Sequence, residues 1–92
     1  MVKFSLGQTV VTQGVNILME EGSLSKTDVN KMFLDHATGE WGELTKTDQK
    51  MNEKAIEDGD RILSKYTKNG YEFYVITEAD RSATTVLLTD EY

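Results

Sequence analysis

The 92-residue sequence contains no cysteine, only one histidine and no apolar run longer than four residues. The absence of cysteine excludes a disulfide framework and a thiolate metal site, so a chain this short must depend on an apolar core for its stability. The short apolar runs exclude a membrane-spanning helix, and the first residues lack the apolar stretch of a signal peptide. We therefore expect a single domain over residues 1–92, located in the cytoplasm and without a membrane partner.

Recognisable catalytic and cofactor-binding motifs are also missing. The sequence has no glycine-rich phosphate loop, no HExxH zinc motif, no EF-hand spacing and no GxSxG nucleophile motif. The single histidine, His36, has no second histidine or cysteine with which to complete a transition-metal site. We expect no cofactor and no metal, and the sequence leaves enzymatic activity open.

Charge is the most informative feature that the sequence does have. Sixteen acidic against ten basic side chains give a net charge of −6, which argues against a direct nucleic-acid partner because phosphate binding needs a basic surface. Residues 35–60 form the most acidic segment. It can be a solvated helix, or it can imitate nucleic-acid phosphates in the groove of a DNA-binding protein. Its eight acids are Asp35, Glu40, Glu43, Asp48, Glu53, Glu57, Asp58 and Asp60.

Residue spacing predicts three helices. The first covers residues 13–21 after a Thr12 cap, and the second begins at Ser25, whose acidic partner three residues later completes a capping box. Gly39 ends that second helix. The third covers residues 45–58, and its apolar stripe is narrow. The stripe consists of Leu44, Met51, Ala55 and Ile56.

Strands are predicted on both sides of the pair Asn69-Gly70. The runs RILSKYT and YEFYVIT flank this pair, which is typical of a type I′ hairpin turn, and TTVLLT supplies a third strand antiparallel to the second. The N-terminal stretch VKFSLGQTVV alternates apolar and polar residues and indicates a possible fourth strand. The predicted fold class is α+β, a three-stranded antiparallel meander with three helices packed on one face.

The connection between the last two predicted strands, EADRSA, carries charges where a hairpin normally uses glycine, asparagine or aspartate to reach positive φ. Glu78, Asp80 and Arg81 can pair among themselves while Thr84 or Thr85 holds the corner through its hydroxyl. Alternatively, Arg81 grips an anionic group of a ligand or partner. A strand corner of this kind is a common place for binding groups.

Two further residues have both a structural and a functional interpretation. Trp41 lies between Gly39 and Gly42 and is either a core anchor, around which the glycines let the backbone bend, or a hot spot for a partner. His36 lies on the apolar face of the second helix, which favours a locally hydrogen-bonded imidazole at the edge of the core over a metal ligand.

From about residue 33 to the C-terminus, the stretches HATGEWGEL, DQKMNEKAI, RILSKYT and VITEADRSATTVLLTDEY resemble a family of short bacterial proteins. These proteins are carried by plasmids, phages and other mobile elements and are described only as plasmid-related or hypothetical. Glu40 and Thr89 stand where the family pattern has an aspartate and a proline. The resemblance implies no activity, but its matching positions are unusually polar. They are His36, Trp41, Gly42, Asp48, Asn52, Glu78, Asp80, Arg81, Thr84 and Thr85.

The resemblance favours a small acidic protein that binds a bacterial host protein and inhibits a defence system, such as a CRISPR or restriction effector. Residues 35–60 would form the contact, with Trp41 as an anchor. One alternative is a small ligand-binding domain or enzyme with a pocket at His36, Asp80 and Arg81, and another is a structural or regulatory subunit. The candidate partner- or ligand-binding residues are His36, Trp41, Gly42, Glu78, Asp80, Arg81, Thr84 and Thr85.

Overall fold

The computed structural model describes all 92 residues and contains three α-helices and a four-stranded mixed sheet. The α+β fold class expected from the sequence is confirmed. In chain order the elements are β1 (Gln8–Val11), α1 (Gln13–Glu20), α2 (Lys26–Ala37), α3 (Lys46–Asp58), β2 (Ile62–Lys68), β3 (Tyr71–Thr77), β4 (Ala83–Leu88) and a closing 3₁₀ turn (Thr89–Glu91).

The strand order in the sheet is β1-β4-β3-β2. Strands β2, β3 and β4 form the predicted antiparallel meander, and β1 lies parallel to β4 as the fourth strand. The first hairpin turns at Asn69 and Gly70, whose φ angles of 53° and 84° are both positive, as a type I′ turn requires. None of the helices is long and apolar enough to cross a membrane.

The observed helix bounds differ by one residue from the predicted ones at the end of α1, which is Glu20, and at the start of α3, which is Lys46. The Thr12 hydroxyl caps α1, and the reciprocal bonds between Ser25 and Asp28 form the capping box of α2. Gly59 ends α3 in the left-handed conformation at φ 75°. These local contacts satisfy backbone groups that would otherwise lack partners at the helix ends.

Helices α1 and α2 cover one face of the sheet, and the main apolar core lies between this pair of helices and the sheet. The buried residues of the core come from the helical layer and from the sheet: Val15, Leu18, Leu24, Val29, Met32, Tyr66, Phe73, Val75 and Val86. Inward-facing side chains of β2, β3 and β4 alternate with outward-facing ones, so the buried face follows directly from the strand period.

Helix α3 differs from the expectation of three helices on one face, because it packs along the outer edge of β2. The side-chain amide of Asn52 donates to the Leu63 carbonyl oxygen (2.6 Å) and accepts from the Leu63 N–H (3.2 Å), in the manner of a neighbouring strand. Beside it, Lys65 donates to the Trp41 carbonyl oxygen and accepts from the Glu43 N–H. The β2 edge is therefore closed against pairing with another strand.

The opposite face of the sheet carries no helix. Its central side chains, Ile76 and Leu87, are nevertheless only 4% and 8% exposed. Tyr74 stands beside them, and the C-terminal Tyr92 meets the Tyr74 ring edge to face with 5.4 Å between centroids. This end of the chain thus shields part of the open face.

Candidate functional site

Arg81 holds the corner between β3 and β4 from a left-handed backbone conformation, with φ at 62°. Its guanidinium donates hydrogen bonds to main-chain carbonyl oxygens, from Nη1 to Asp60 (2.7 Å) and from Nη2 to Ala55 (3.1 Å). Nη1 also lies 3.2 Å from the carbonyl oxygen of Glu78 and 3.1 Å from that of Ala79. The corner without glycine is therefore built around an arginine that ties it to α3.

This arrangement differs from the pairing expected among the charged residues of the corner. The Glu78 carboxylate lies 3.6 Å from Nε of Arg61, not against Arg81. The Asp80 carboxylate accepts the Ser82 N–H at 3.0 Å, and hydrogen bonds from Ser82 hold the pKa of Asp80 below its ordinary value. Each charged side chain of the corner has its own separate partner.

The position of Arg81 also matters electrostatically. The last turn of α3 contains no basic residue, and its free carbonyl groups give that end of the helix a partial negative charge. The guanidinium of Arg81 supplies the missing positive charge from another part of the chain. It also lies over the ring of Phe4, with 5.8 Å from Cζ to the ring centroid, in cation–π geometry.

His36 belongs to a fully buried chain of polar side chains that runs through the core. Its Nε2 lies 2.9 Å from the Thr77 hydroxyl, which lies 2.7 Å from the Thr84 hydroxyl. Nδ1 of His36 contacts the Ser64 hydroxyl on the other side. All four side chains are 0% exposed. The chain connects α2 with three strands of the sheet.

The hydrogen bond from Thr84 to Leu6 determines which groups donate and which accept in the neighbouring bonds of this polar network. The Thr84 hydroxyl donates to the Leu6 carbonyl oxygen (2.7 Å), so it must accept from Thr77. Thr77 in turn accepts from Nε2–H of His36. Burial lowers the pKa of the imidazole from 6.5 to about 3, so above that pH Nδ1 carries no proton and accepts the hydrogen bond from the Ser64 hydroxyl.

Trp41 lies in the core and is 4% exposed. Its ring stacks on Phe4 with 6.2 Å between centroids and an interplanar angle of 18°, and it meets His36 edge to face at 5.9 Å. Nε1 donates to the Glu53 carboxylate at 3.1 Å, so the indole N–H is satisfied at the edge of the core. The surface that Trp41 can offer to a partner is correspondingly small.

The structure brings His36, Trp41 and Arg81 together around Phe4, which the sequence analysis did not single out. Phe4 meets His36 edge to face at 5.3 Å, stacks on Trp41 and receives the Arg81 cation. The only sequence signal for Phe4 was the apolar alternation near the N-terminus. No surface depression is lined by His36, Asp80 or Arg81, so the three residues do not form a common pocket.

The three remaining candidate residues, Gly42, Thr84 and Thr85, do not share one surface. Gly42 has φ at 75° and touches β2 so closely that a Cβ atom there would overlap the Lys65 carbonyl oxygen. Thr84 belongs to the buried polar chain, whereas Thr85 faces the opposite side of the sheet, beside Ile76. Ser64 and Thr77, which the sequence analysis did not name, complete the chain that His36 needs.

The largest group of free charges lies on α3 and its flanking loops. Asp35 and Glu53 form ion pairs with Lys31 and Lys3, and Glu43 accepts a hydrogen bond from Thr67. The other exposed carboxylates of the acidic segment have neither an ion pair nor a hydrogen bond. They are Glu40, Asp48, Glu57, Asp58 and Asp60.

Lysines divide the exposed surface of α3 into two regions. Lys46, Lys50 and Lys54 recur every four residues and therefore share one stripe of the helix. The concentrated negative charge is left to the C-terminal end of α3, at Glu57, Asp58 and Asp60. No group of three or more histidine, cysteine, aspartate or glutamate side chains has the arrangement of a metal site.

A cleft of about 330 Å³ lies between α3 and β2 and is here called the α3–β2 cleft. Its lining is half apolar: Leu44, Asp48, Met51, Asn52, Ala55, Asp60, Arg61 and Leu63. A second depression, of about 350 Å³, exposes the rim of Trp41 beside Lys46 and Lys50. A third, of about 450 Å³, lies at the Gly70 end of the sheet.

Comparison of the chain with models of known protein families, with curated proteins and with solved structures gives no match. The resemblance to plasmid and phage proteins stays a prediction.

Proposed function

We propose that the protein acts by binding a basic surface of another protein through the acidic end of α3. The observation that carries this proposal is the set of exposed, unpaired carboxylates at Glu57, Asp58 and Asp60. Acidic residues in the last turn of a helix oppose the helix dipole and lower stability. Arg81 offsets this charge at the main-chain carbonyl oxygens, but the three carboxylates themselves have no partner and stay open to a basic surface.

The fold holds this acidic surface rigidly. Arg81 binds the main-chain carbonyl oxygens of Ala55 and Asp60 and so fixes the backbone on which the three carboxylates are mounted. A preorganised surface loses less conformational entropy when a partner binds. The acidic charge is also free to attract a partner, because none of the three carboxylates forms an ion pair within the protein.

For the partner, we propose a bacterial host protein that handles nucleic acid, such as a CRISPR or restriction effector. Proteins of this kind present basic surfaces to phosphate groups, and an acidic protein can occupy such a surface in place of the nucleic acid. The resemblance to proteins of mobile elements supports this choice, because these elements benefit from inhibiting host defence. Binding would then block the effector without any catalytic step.

The proposal is tested by titrating purified CRISPR and restriction effectors with this protein and measuring both binding and nucleic-acid cleavage. The triple variant Glu57→Gln, Asp58→Asn, Asp60→Asn should weaken binding at least about 10-fold, the expected loss when several charge contacts disappear. Binding by the unaltered protein should weaken steeply as salt is raised.

Glu20 and Glu21 provide a matched control, because they are exposed acids at the end of another helix, α1. The double variant Glu20→Gln, Glu21→Gln removes two negative charges, against three in the triple variant, and should bind within about 2-fold of the unaltered protein. Equal weakening by the two sets would show that only overall charge matters. Undiminished binding by the α3 variant would refute the proposed contact.

A further inference from the structure

The edge of the sheet that β1 forms has backbone groups without a strand to pair with. The N–H groups of Gln8 and Thr12 donate to carbonyl oxygens of Ser82 and Val86 along β4. Because successive residues of a strand direct their backbone groups to opposite sides, the N–H and carbonyl groups of residues 9 and 11 point away from β4. No strand lies on that side, since β1 is the outermost strand of the sheet.

This edge also lacks the features that usually prevent a strand from pairing. Edge strands are commonly protected by charged side chains, by proline or by a bulge. Strand β1 (QTVV) has none of these, and its register with β4 is regular. No charged residue occurs from residue 4 to residue 19, although 28% of the chain is charged. This uncharged stretch includes Ile17 of α1, which is 44% exposed. The edge is therefore suited to pairing with another uncharged strand.

Strand β1 is complementary to itself when two copies meet antiparallel about a two-fold axis at Val10. Thr9 of one copy then lies opposite Val11 of the second copy, and the two residues exchange hydrogen bonds through their free backbone groups. Val10 lies opposite Val10 of the second copy, and Gln8 lies opposite Thr12 of the second copy. Apolar side chains thus meet apolar ones and polar side chains meet polar ones. Cross-strand pairs of β-branched residues stabilise antiparallel sheets.

We propose that two copies of the chain associate through antiparallel pairing of their β1 strands, which joins two four-stranded sheets into one. Assembly stops at two copies, because Asn52 and the backbone around Trp41 already close the other edge of the sheet, at β2. The contact is small, since β1 has only four residues, so the dimer forms at high protein concentration.

Charge decides how this association depends on salt. Each copy carries a net charge of −6, which opposes association, but none of that charge lies in residues 4–19. The repulsion therefore acts over a distance, and dissolved salt screens it. Raising the salt concentration should tighten the dimer, whereas it should weaken the acidic contact of the proposed function.

This inference does not depend on the proposed function, because α3 lies along β2, at the opposite edge of the sheet from β1. Either contact can be absent while the other forms. If both form, the dimer presents two acidic α3 ends, and a partner with two basic surfaces binds it more tightly through avidity.

Sedimentation equilibrium of the full chain from micromolar to millimolar concentration tests the proposal. The protein should change from monomer to dimer over this range, and the dimer should tighten as salt is raised. Amide hydrogen exchange at Thr9 and Val11 should slow as the protein concentration rises, because these two N–H groups become hydrogen-bonded. A monomer at every concentration, or a dimer in which these two amides exchange as fast as in the monomer, would overturn the inference.

Substitutions at Val10 distinguish pairing of β1 with itself from any other contact. Val10 is half-buried beside Thr85 on the face of the sheet without helices, so a charged side chain can reach water in the monomer. Val10→Lys and Val10→Glu each place like charges opposite each other at the two-fold axis and should weaken association at least about 10-fold. An equimolar mixture of the two variants should recover the dimer, because the charges then attract.

Val2→Lys is the matched control, because Val2 is 60% exposed and lies outside β1. This variant makes the same change of charge as Val10→Lys and should associate as the unaltered protein does. Equal weakening by the two lysine variants, or a mixture of the two Val10 variants that associates no better than either alone, would refute the pairing of β1 with itself.

Discussion

Arg81 and Ala55 are 26 residues apart in the chain, and Nη2 of Arg81 donates a hydrogen bond to the Ala55 carbonyl oxygen at 3.1 Å. This contact joins the corner between β3 and β4 to the end of α3. It explains why the corner contains an arginine in the left-handed conformation where a glycine would be conformationally easier. The side chain stabilises more than the turn that contains it.

Replacing Arg81 should therefore affect stability more than an ordinary surface substitution does. Arg81→Ala removes the guanidinium bonds to four main-chain carbonyl oxygens and should lower the free energy of unfolding by about 2 kcal/mol. Arg81→Lys should restore less than half of that loss, because one ammonium cannot reproduce the planar geometry. Urea denaturation of the three proteins measures the difference.

Arg81→Gly distinguishes the loss of the arginine side chain from the energetic cost of the left-handed backbone conformation. Glycine adopts φ at 62° more readily than alanine does, so Arg81→Gly should be more stable than Arg81→Ala by about 0.5 kcal/mol. If the alanine variant is as stable as the unaltered protein, the carbonyl contacts contribute nothing measurable.

The buried imidazole of His36 predicts a specific dependence of stability on pH. Burial lowers its pKa from 6.5 to about 3, so the unfolded chain binds a proton more readily than the folded one. The stabilisation is fully present above pH 6.5 and is lost as the pH falls towards 3. The free energy of unfolding should decrease by about 1.4 kcal/mol per pH unit within this window.

Among the groups with shifted pKa values, only His36 should change the free energy of unfolding between pH 6.5 and pH 5. The lowered pKa values of Asp28, Asp80 and Glu91 also make acid destabilising, but those carboxyl groups titrate at lower pH. In His36→Gln, stability should be almost constant across this interval. Urea denaturation at several pH values checks this, and an unchanged slope in the variant would assign the effect to another group.

Trp41 is the only tryptophan, and it packs with Ala55 and Ile62 in a second, smaller apolar cluster, so its fluorescence reports directly on that cluster. Emission of the isolated protein should be blue-shifted and protected from acrylamide, because the indole is 4% exposed. Trp41→Ala should cost about 3 to 5 kcal/mol through the cavity it leaves. Glu53→Gln is the control, since its amide oxygen still accepts the indole N–H and the emission should stay blue-shifted.

Substitutions at Gly42 and Gly59 distinguish the cost of a steric overlap from the cost of a positive φ angle. Both have φ at 75°, but a Cβ atom at Gly59 would meet nothing within 4 Å, whereas one at Gly42 would overlap the Lys65 carbonyl oxygen. Gly59→Ala should cost about 1 kcal/mol, and Gly42→Ala at least about 2 kcal/mol more, as measured by thermal unfolding. Equal melting temperatures would contradict the close approach to β2.

The predictable parts of this fold are those decided by neighbouring residues. The Ser25 and Asp28 capping box and the Asn69-Gly70 turn depend on contacts within four residues, and the structure has both. The parallel pairing of β1 with β4 depends instead on residues more than 70 positions apart. Local pattern carries no signal for such a pairing, so the sequence indicated only that a fourth strand was possible.

The candidate site illustrates the same limit. Charge and turn composition marked Arg81 as unusual, but its acceptors are main-chain carbonyl groups, which every residue possesses and no sequence pattern reveals. Ser64 and Thr77 could have been found from the strand period, which places both among inward-facing apolar residues. A polar side chain at such a position needs a buried partner, and His36 is the available one.

The polar chain from Ser64 to Leu6 also restricts how the strands can align. A shift of one residue that brings Ala83 opposite Thr77 would leave the buried Thr77 hydroxyl without its acceptor and the Leu6 carbonyl oxygen without its donor. Apolar side chains of similar size tolerate such a slip far better, because they make no directional bonds. The network therefore discriminates against misaligned sheets during folding, and a chain with valine in place of Thr77 and Thr84, which lacks these directional bonds, should populate alternative alignments.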